Sequence, residues 1–291
     1  MGKTKQASSR GDKRYIYRSA NSNSVKAWND LTEGFSMAPM WGPLTLREMF
    51  GKFRRQFLGI LWIPLGTMIV VFLLGYAYAQ IFAVPYLPFC LYLFAGLLTW
   101  QVIQPAITGG FGLYTRQANV IANVRIPYSY WIYKYVFELM IGYALVLPVY
   151  FIFMAVLLSA GIVPEMNWAA MIWYLPAMAL YIVTAFCVVM FLAVVSIRVR
   201  DLEAPVTSMM RILFLVTPII WKVEGRAEGS FRAEFVQYNP FYHLLQIGRA
   251  PLLGEIAEPI NWYVSLGVMG LFIVLALLVF MRARHRILYW L

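Results

Sequence analysis

A chain of 291 residues that is 62% hydrophobic and only 13% charged lacks the roughly 25% of charged residues that a soluble domain carries. Its net charge of +11 is no nucleic-acid signature, because the basic residues are distributed to one side of the apolar runs, as in a membrane protein. Cys90 and Cys187 stand inside apolar runs and read as small buried hydrophobes, not as a disulfide framework. Five stretches carry no charge at all: Phe57–Ala83, Val84–Thr115, Leu139–Pro164, Met166–Ile197 and Pro259–Met281. About 20 apolar residues suffice to cross the hydrocarbon core as a helix, and in lipid the backbone must satisfy itself internally. The composition therefore predicts an all-α polytopic membrane protein.

In chain order, residues 1–41 read as a flexible basic extension, rich in Ser, Asn, Lys and Arg at its start. No cleavable signal is expected, since the first 40 residues lack a continuous apolar core. Residues 42–57 read as an amphipathic helix at the membrane surface. Leu46, Met49, Phe50, Phe53 and Phe57 share one helical face, Thr45 and Glu48 have capping-box spacing, and Arg47, Lys52, Arg54 and Arg55 lie mostly elsewhere. The remaining 58–291 read as six spans, near 58–80, 87–107, 131–158, 169–196, 205–221 and 260–281. Pro64 is expected to kink the first. Between the second and third, residues 115–128 form a short polar segment marked by Asn119, Asn123, Arg125 and Pro127. Between the fifth and sixth, residues 222–258 combine charges with the uncharged run Phe235–Gly248, too short to cross but suited to a re-entrant helix pair broken at Asn239-Pro240.

With six spans, 20 of the 24 lysines and arginines fall on the side of the N-terminus. That bias predicts both termini in the cytoplasm. Arg211, inside the fifth span, either snorkels or faces a polar conduit. Lys134 and Glu138 are spaced to pair on one helix. Aromatic residues are 17% of the chain. Interfacial belts account for many. Trp62, Tyr76, Tyr92, Trp100, Trp173, Tyr174 and Tyr181 are the candidates to line a route for a sugar chain, whose C–H faces stack on flat rings. No enzyme constellation is seen. His243 and His285 fall on opposite sides of the membrane, and no zinc spacing or nucleophile elbow occurs. Gly2-Lys3-Thr4 is not a phosphate loop: the glycine five positions earlier is missing. No catalytic, metal or cofactor residue is expected in this chain.

Several blocks together resemble the permease subunits of polysaccharide-exporting ABC transporters, most of all the O-antigen branch, with capsule and teichoic acid exporters close. They are Phe50-Gly51-Lys52-Phe53-Arg54; Asn119-Val120-Ile121-Ala122-Asn123-Val124-Arg125-Ile126-Pro127; Arg198-Val199-Arg200-Asp201-Leu202-Glu203-Ala204-Pro205; Leu213-Phe214-Leu215-Val216-Thr217-Pro218-Ile219-Ile220-Trp221; Tyr238-Asn239-Pro240-Phe241-Tyr242-His243-Leu244; and Gly248-Arg249-Ala250-Pro251-Leu252-Leu253-Gly254. The resemblance spans about 42–285 and does not include residues 1–40. It implies a bacterial inner-membrane homodimer around a conduit, paired with two copies of a cytoplasmic ATPase that holds the ATP and magnesium. The substrate it implies is a polysaccharide on a polyprenyl diphosphate lipid, with no nucleic acid involved. By the same resemblance 46–56 is an interface helix, Asn119, Asn123, Arg125 and Pro127 belong to an ATPase-coupling helix, and Asn239, Pro240, Phe241, Tyr242 and His243 belong to exit helices. Arg47, Lys52, Arg54 and Arg55 would attract the diphosphate headgroup. The competing readings are a small-molecule or drug exporter permease of the same fold, a membrane-embedded glycan-modifying enzyme, which would need clustered carboxylates or histidines at one face, and a secondary transporter, which would show an internal repeat.

Overall fold

The computed structural model describes residues 20–222 and 236–291, which contain helices and no strands. Helices α1 (Ala20–Ser36) and α2 (Ala38–Phe53) precede the long α3 (Trp62–Phe82) and α4 (Tyr86–Gly110). Two short helices, α5 (Leu113–Arg116) and α6 (Ala118–Asn123), lead to α7 (Tyr128–Ser159) and α8 (Tyr174–Arg198). Then come α9 (Glu203–Val216), α10 (Pro240–Leu252), α11 (Pro259–Ala283) and the terminal α12 (Ile287–Trp290). Among the described residues, five stretches, built on α3, α4, α7, α8 and α11, are long and apolar enough to cross a membrane.

The uncharged composition turns into this fold through close helix contacts. Helix α4 is the hub, packed against α3, α7, α8, α9 and α10, and one face after another is covered (Leu93, Phe94, Ala95, Leu98). Gly75 lets α3 approach α4, because a Cβ there would collide with Cys90 Sγ. Both cysteines are free and buried, as read. The α3–α4 turn is tight: Ala83 takes a left-handed conformation with φ 52° as the C-cap, and Pro85 forces extended backbone before α4. Outward, α3 and α11 leave Ile69, Leu73, Tyr76, Leu266 and Val274 exposed, apolar surface suited to lipid or a neighbouring span.

Four sequence expectations are revised. Helix α9 has 14 residues, about 21 Å of helix against a hydrocarbon core of roughly 30 Å, so the expected 205–221 span is not one continuous helix. It stops because Pro218 drives Thr217 into extended backbone (ψ 135°). Pro64 falls in the first turn of α3, where its missing N–H costs nothing, and so is no interior kink. The surface helix begins at Ala38 and ends at Phe53, with Pro39 in its first turn, so Thr45 and Glu48 do not cap it. Thr45 is buried and donates to the Trp41 carbonyl (2.6 Å). Finally, residues 20–41 are not a flexible extension: α1 and the start of α2 pack on α7. The rest of that extension, residues 1–19, and the charged stretch 223–235 of the exit region lie outside the described residues.

Candidate functional site

Contacts along α4 set the depth of the α9–α10 junction. Trp100, fifteenth of the 25 residues of α4, lies against Phe214 near the end of α9 (5.9 Å between ring centroids) and against Phe241 at the start of α10 (6.0 Å). Asn239 joins the two: its side-chain oxygen accepts from Phe241 N (3.0 Å), capping α10, while its Nδ2 donates to Thr217 Oγ1 (3.1 Å). Between them the link 217–222 runs back along α4. The Ile219 carbonyl passes over Gly96, and the Trp221 carbonyl accepts from Tyr92 Oη (3.1 Å). Both α9 and α10 thus have one end at the level of Trp100, and the link connects that level to the end where α3 turns into α4, here termed the far end.

A buried cation holds this link. Arg249, 3% exposed, donates from Nη1 to the Pro218 carbonyl (2.6 Å) and from Nε and Nη2 to Gln246 Oε1 (3.2 and 2.9 Å). Its guanidinium lies 4.4 Å from the Tyr92 ring centroid, and Lys222 lies 4.9 Å from the same centroid. No ion pair to a carboxylate is made by Arg249 among the described residues; neutral acceptors and a π face satisfy it. His243 is buried between a carbonyl and an amide: Nε2 donates to Gln237 O (2.8 Å), and Nδ1 lies 2.7 Å from Asn261 Oδ1. Tyr242 accepts from Gln246 Nε2 (3.0 Å). Beside the link, Phe82, Val84, Pro85, Pro88, Phe89, Trp221 and Lys222 line a cavity of about 360 Å³.

The seven aromatic candidates do not form one wall. Tyr92, Trp100, Tyr174 and Tyr181 are buried inside the chain, Trp100 donating to Gln104 (2.7 Å) and Tyr181 to the Leu244 carbonyl. Trp62, Tyr76 and Trp173 are exposed. Tyr92, Trp100 and Tyr181 do share a site, as the surfaces on which α10 and the link rest. Arg211 is exposed and lines a wide cleft of about 760 Å³ at the opposite end, with Arg200, Asp201, Glu203, Thr207 and Ser208.

That opposite end, termed here the basic end, is fastened by carboxylates. Asp30, 1% exposed, accepts from Ser129 N (3.0 Å) and Tyr128 N (3.2 Å), and its Oδ2 pairs with Arg284 Nε (2.8 Å). It caps α7 from another helix, which explains how α7 starts after Pro127 without a cap of its own. Gly34 lies so close to Ser129 that any Cβ would clash. Lys134 and Glu138 do not pair with each other. Lys134 bonds Glu48 (2.7 Å) and Glu138 bonds Lys52 (2.5 Å), crosswise ties between α7 and α2. Spacing allowed the intrahelical pair, but α2 brings a complementary Glu48/Lys52 repeat alongside. Lys52 is thereby engaged. Arg47, Arg54 and Arg55 are exposed and form no ion pair among the described residues.

Between α4 and α7, the 115–128 segment is a short exposed helix on rigid roots. Asn119, Val120, Asn123 and Arg125 are exposed, and Asn123 Nδ2 donates to the Asn119 carbonyl (2.7 Å). Pro127 and Tyr114 are buried at its two ends. Arg116 ties back to the Phe111 and Gly109 carbonyls (3.0 and 2.8 Å), and Gly112, at φ 65°, donates to Ser196 on α8 (3.2 Å). Burial pushes the Tyr114 phenol well above its usual range. Sequence reasoning gave Asp30 and Arg249 no role at a site and read Glu48 only as a capping residue, where it pairs with Lys134. Arg249 stood in one of the quoted blocks, and a lone arginine at the end of the 14-residue uncharged run 235–248 was the available signal.

No family model matches the chain. It is similar to an O-antigen export system permease protein RfbA of Myxococcus xanthus, 25% identical over 206 residues, covering 69% of this chain and 75% of the relative. Two RfbA permeases of Klebsiella pneumoniae are 21% identical over 203 residues (69% of this chain, 75% of the relative) and 20% identical over 247 residues (84% and 91%). The resemblance carried by the sequence blocks is borne out by these relatives.

Proposed function

We propose that this chain is the membrane subunit of an ABC exporter that moves polyprenyl-diphosphate-linked O-antigen outward, driven by a separate ATPase. The relatives, named as O-antigen export permeases, support O-antigen as the substrate class. The structural observation that carries the coupling is α6: an exposed helix of six residues rooted on α4, α7 and α8 without slack. Such an element passes a push from a soluble partner to three spans at once. The reading includes a homodimer, two ATPase copies holding ATP and magnesium, and residence in the bacterial inner membrane.

Six crossings with both termini in the cytoplasm fit the geometry. The Asp30–Arg284 pair puts α1 and the end of α11 at the same end of the bundle. The five full-length helices among the described residues make an odd number, so on this reading the segment between α8 and α11 supplies one more net crossing, made by α9 and the 217–222 link. Helix α10, with one end at the level of Trp100, fits a re-entrant helix of the far half. On this reading Tyr92, Trp221, Lys222 and Arg249 stand at the exit. Sugar hydroxyls there can take over the acceptor role of the Pro218 carbonyl, and their C–H faces can stack on the rings. Arg47, Arg54 and Arg55 remain free to attract the diphosphate at the entrance.

The test is reconstitution of the chain in vesicles loaded with lipid-linked O-antigen. Purified alone it should hydrolyse no ATP. With its cognate ATPase it should export glycan in an ATP-dependent way, and Asn123→Trp on α6 should abolish export while leaving assembly of the membrane domain intact. Hydrolysis by the isolated chain, or export indifferent to α6, overturns the proposal.

A further inference from the structure

Behind the first turn of α10 lies a second cavity, of about 180 Å³, between α4, α8, α10 and α11. Its walls include Val102, Ala106, Ala185 and Val188, all buried, and Phe241. Leu271 and Pro240, both exposed, stand at its mouth. Thr184 also lines it, and among the described residues its Oγ1 makes no hydrogen bond, although a helical threonine ordinarily donates to the carbonyl one turn back. Apolar cavities of about 150 Å³ in soluble proteins stay free of water and accept small hydrocarbons. This one sits in spanning helices, with its mouth on a surface that faces lipid or another span, where alkyl chains are the surrounding solvent. Undescribed parts of the chain are poor occupants, since 1–19 holds six lysines and arginines and 223–235 alternates acids and bases, and charge does not enter an apolar pocket unpaired.

We propose that this cavity is a binding site for a single hydrocarbon chain, supplied either by a phospholipid tail or by an isoprenoid lipid. The bound chain fills the space behind Phe241 and presses that ring onto Trp100, steadying the start of α10 where Asn239 ties it to Thr217. An empty pocket leaves Phe241 without contacts on one side, so α10 is looser. The inference rests on the chain spanning a bilayer and not on its cargo, so it and the export reading can fail independently.

The experiment uses the full chain in phosphatidylethanolamine–phosphatidylglycerol vesicles doped with one of two photoreactive probes: phosphatidylglycerol or a polyisoprenyl phosphate, each with a diazirine in its chain. Residue-level mass spectrometry then maps adducts. Adducts at Val102, Ala106 or Val188, none of which faces outward, are expected, and they should vanish in Ala106→Phe while adducts at exposed Leu73 persist. The probe that labels identifies the source: the phospholipid tail, the isoprenoid, or both. Should Ala106→Phe fail to insert, as loss of the Leu73 adducts would show, Leu271→Trp closes the mouth from outside and should give the same loss. Absence of adducts at the three buried positions with both probes, or labelling undiminished in a correctly inserted blocking variant, overturns the proposal.

Discussion

At the basic end a buried carboxylate, Asp30, meets two backbone amides and the Arg284 cation. At the far end a buried cation, Arg249, meets a carbonyl, an amide side chain and a tyrosine ring. The first arrangement is hard to exchange, because the Asp30 side chain is fully buried and would lose two amides and a cation together. The second is easier, because each acceptor is neutral and any oxygen-bearing ligand can stand in for the Pro218 carbonyl. The contrast assigns a rigid platform to one end, where α1, α7 and the end of α11 act as one body. It assigns a releasable link to the other, where two half-length helices meet.

Removing the charge that makes the platform should have the largest effect. Asp30→Ala leaves Arg284 and two α7 amides without their acceptor and should cost about 3–5 kcal/mol, read as a lowered unfolding midpoint of the protein in nanodiscs. Asp30→Asn, which keeps acceptor oxygen, should recover part of it. If Asp30→Ala unfolds like the parent, the platform is not held this way. Next comes Arg249→Met, which leaves the Pro218 carbonyl without its cation and should cost about 1–3 kcal/mol. Hydrogen exchange should quicken at residues 217–222 and not at 128–134; equal change at both ends would erase the contrast. A smaller loss, about 1 kcal/mol, is expected for Asn239→Ala, which deletes the α10 cap. It too should loosen the far end alone in hydrogen exchange. Smallest is the Lys52–Glu138 tie, with side chains 57% and 29% exposed. A double-mutant cycle should give about 0.2–1 kcal/mol, fading in high salt; a coupling that resists salt would mean the pair is less open to solvent than it stands here.

Much of this was legible in the residues. Uncharged runs marked five of the helices, the break read at Asn239-Pro240 is the start of α10, and the exposed polar segment around Asn123 stood where it was read. What stayed hidden depended on partners distant in sequence. Asp30 drew no reading from the sequence, because its two amides lie about a hundred residues on and its arginine lies 254 residues away. The helical spacing of Lys134 and Glu138 was read correctly, yet the winning partners came from α2. Of the expected stripe Leu46, Met49, Phe50, Phe53 and Phe57, Met49 turns inward beside Gly42 and Thr45 and Phe53 is half-buried, while Leu46, Phe50 and Phe57 are left exposed. The early stop of α9 was present in Thr217-Pro218, and the apolar length of the run, broken only by Arg211, outweighed it.

The central claim is that force enters through α6 from a separate ATPase. A photocrosslinking residue placed at Asn123 measures it directly, with Tyr263 at the start of α11 as the far-end comparison. The account predicts capture of the ATPase from Asn123 and none from Tyr263. A silent Asn123 probe in a complex that still exports glycan would contradict it.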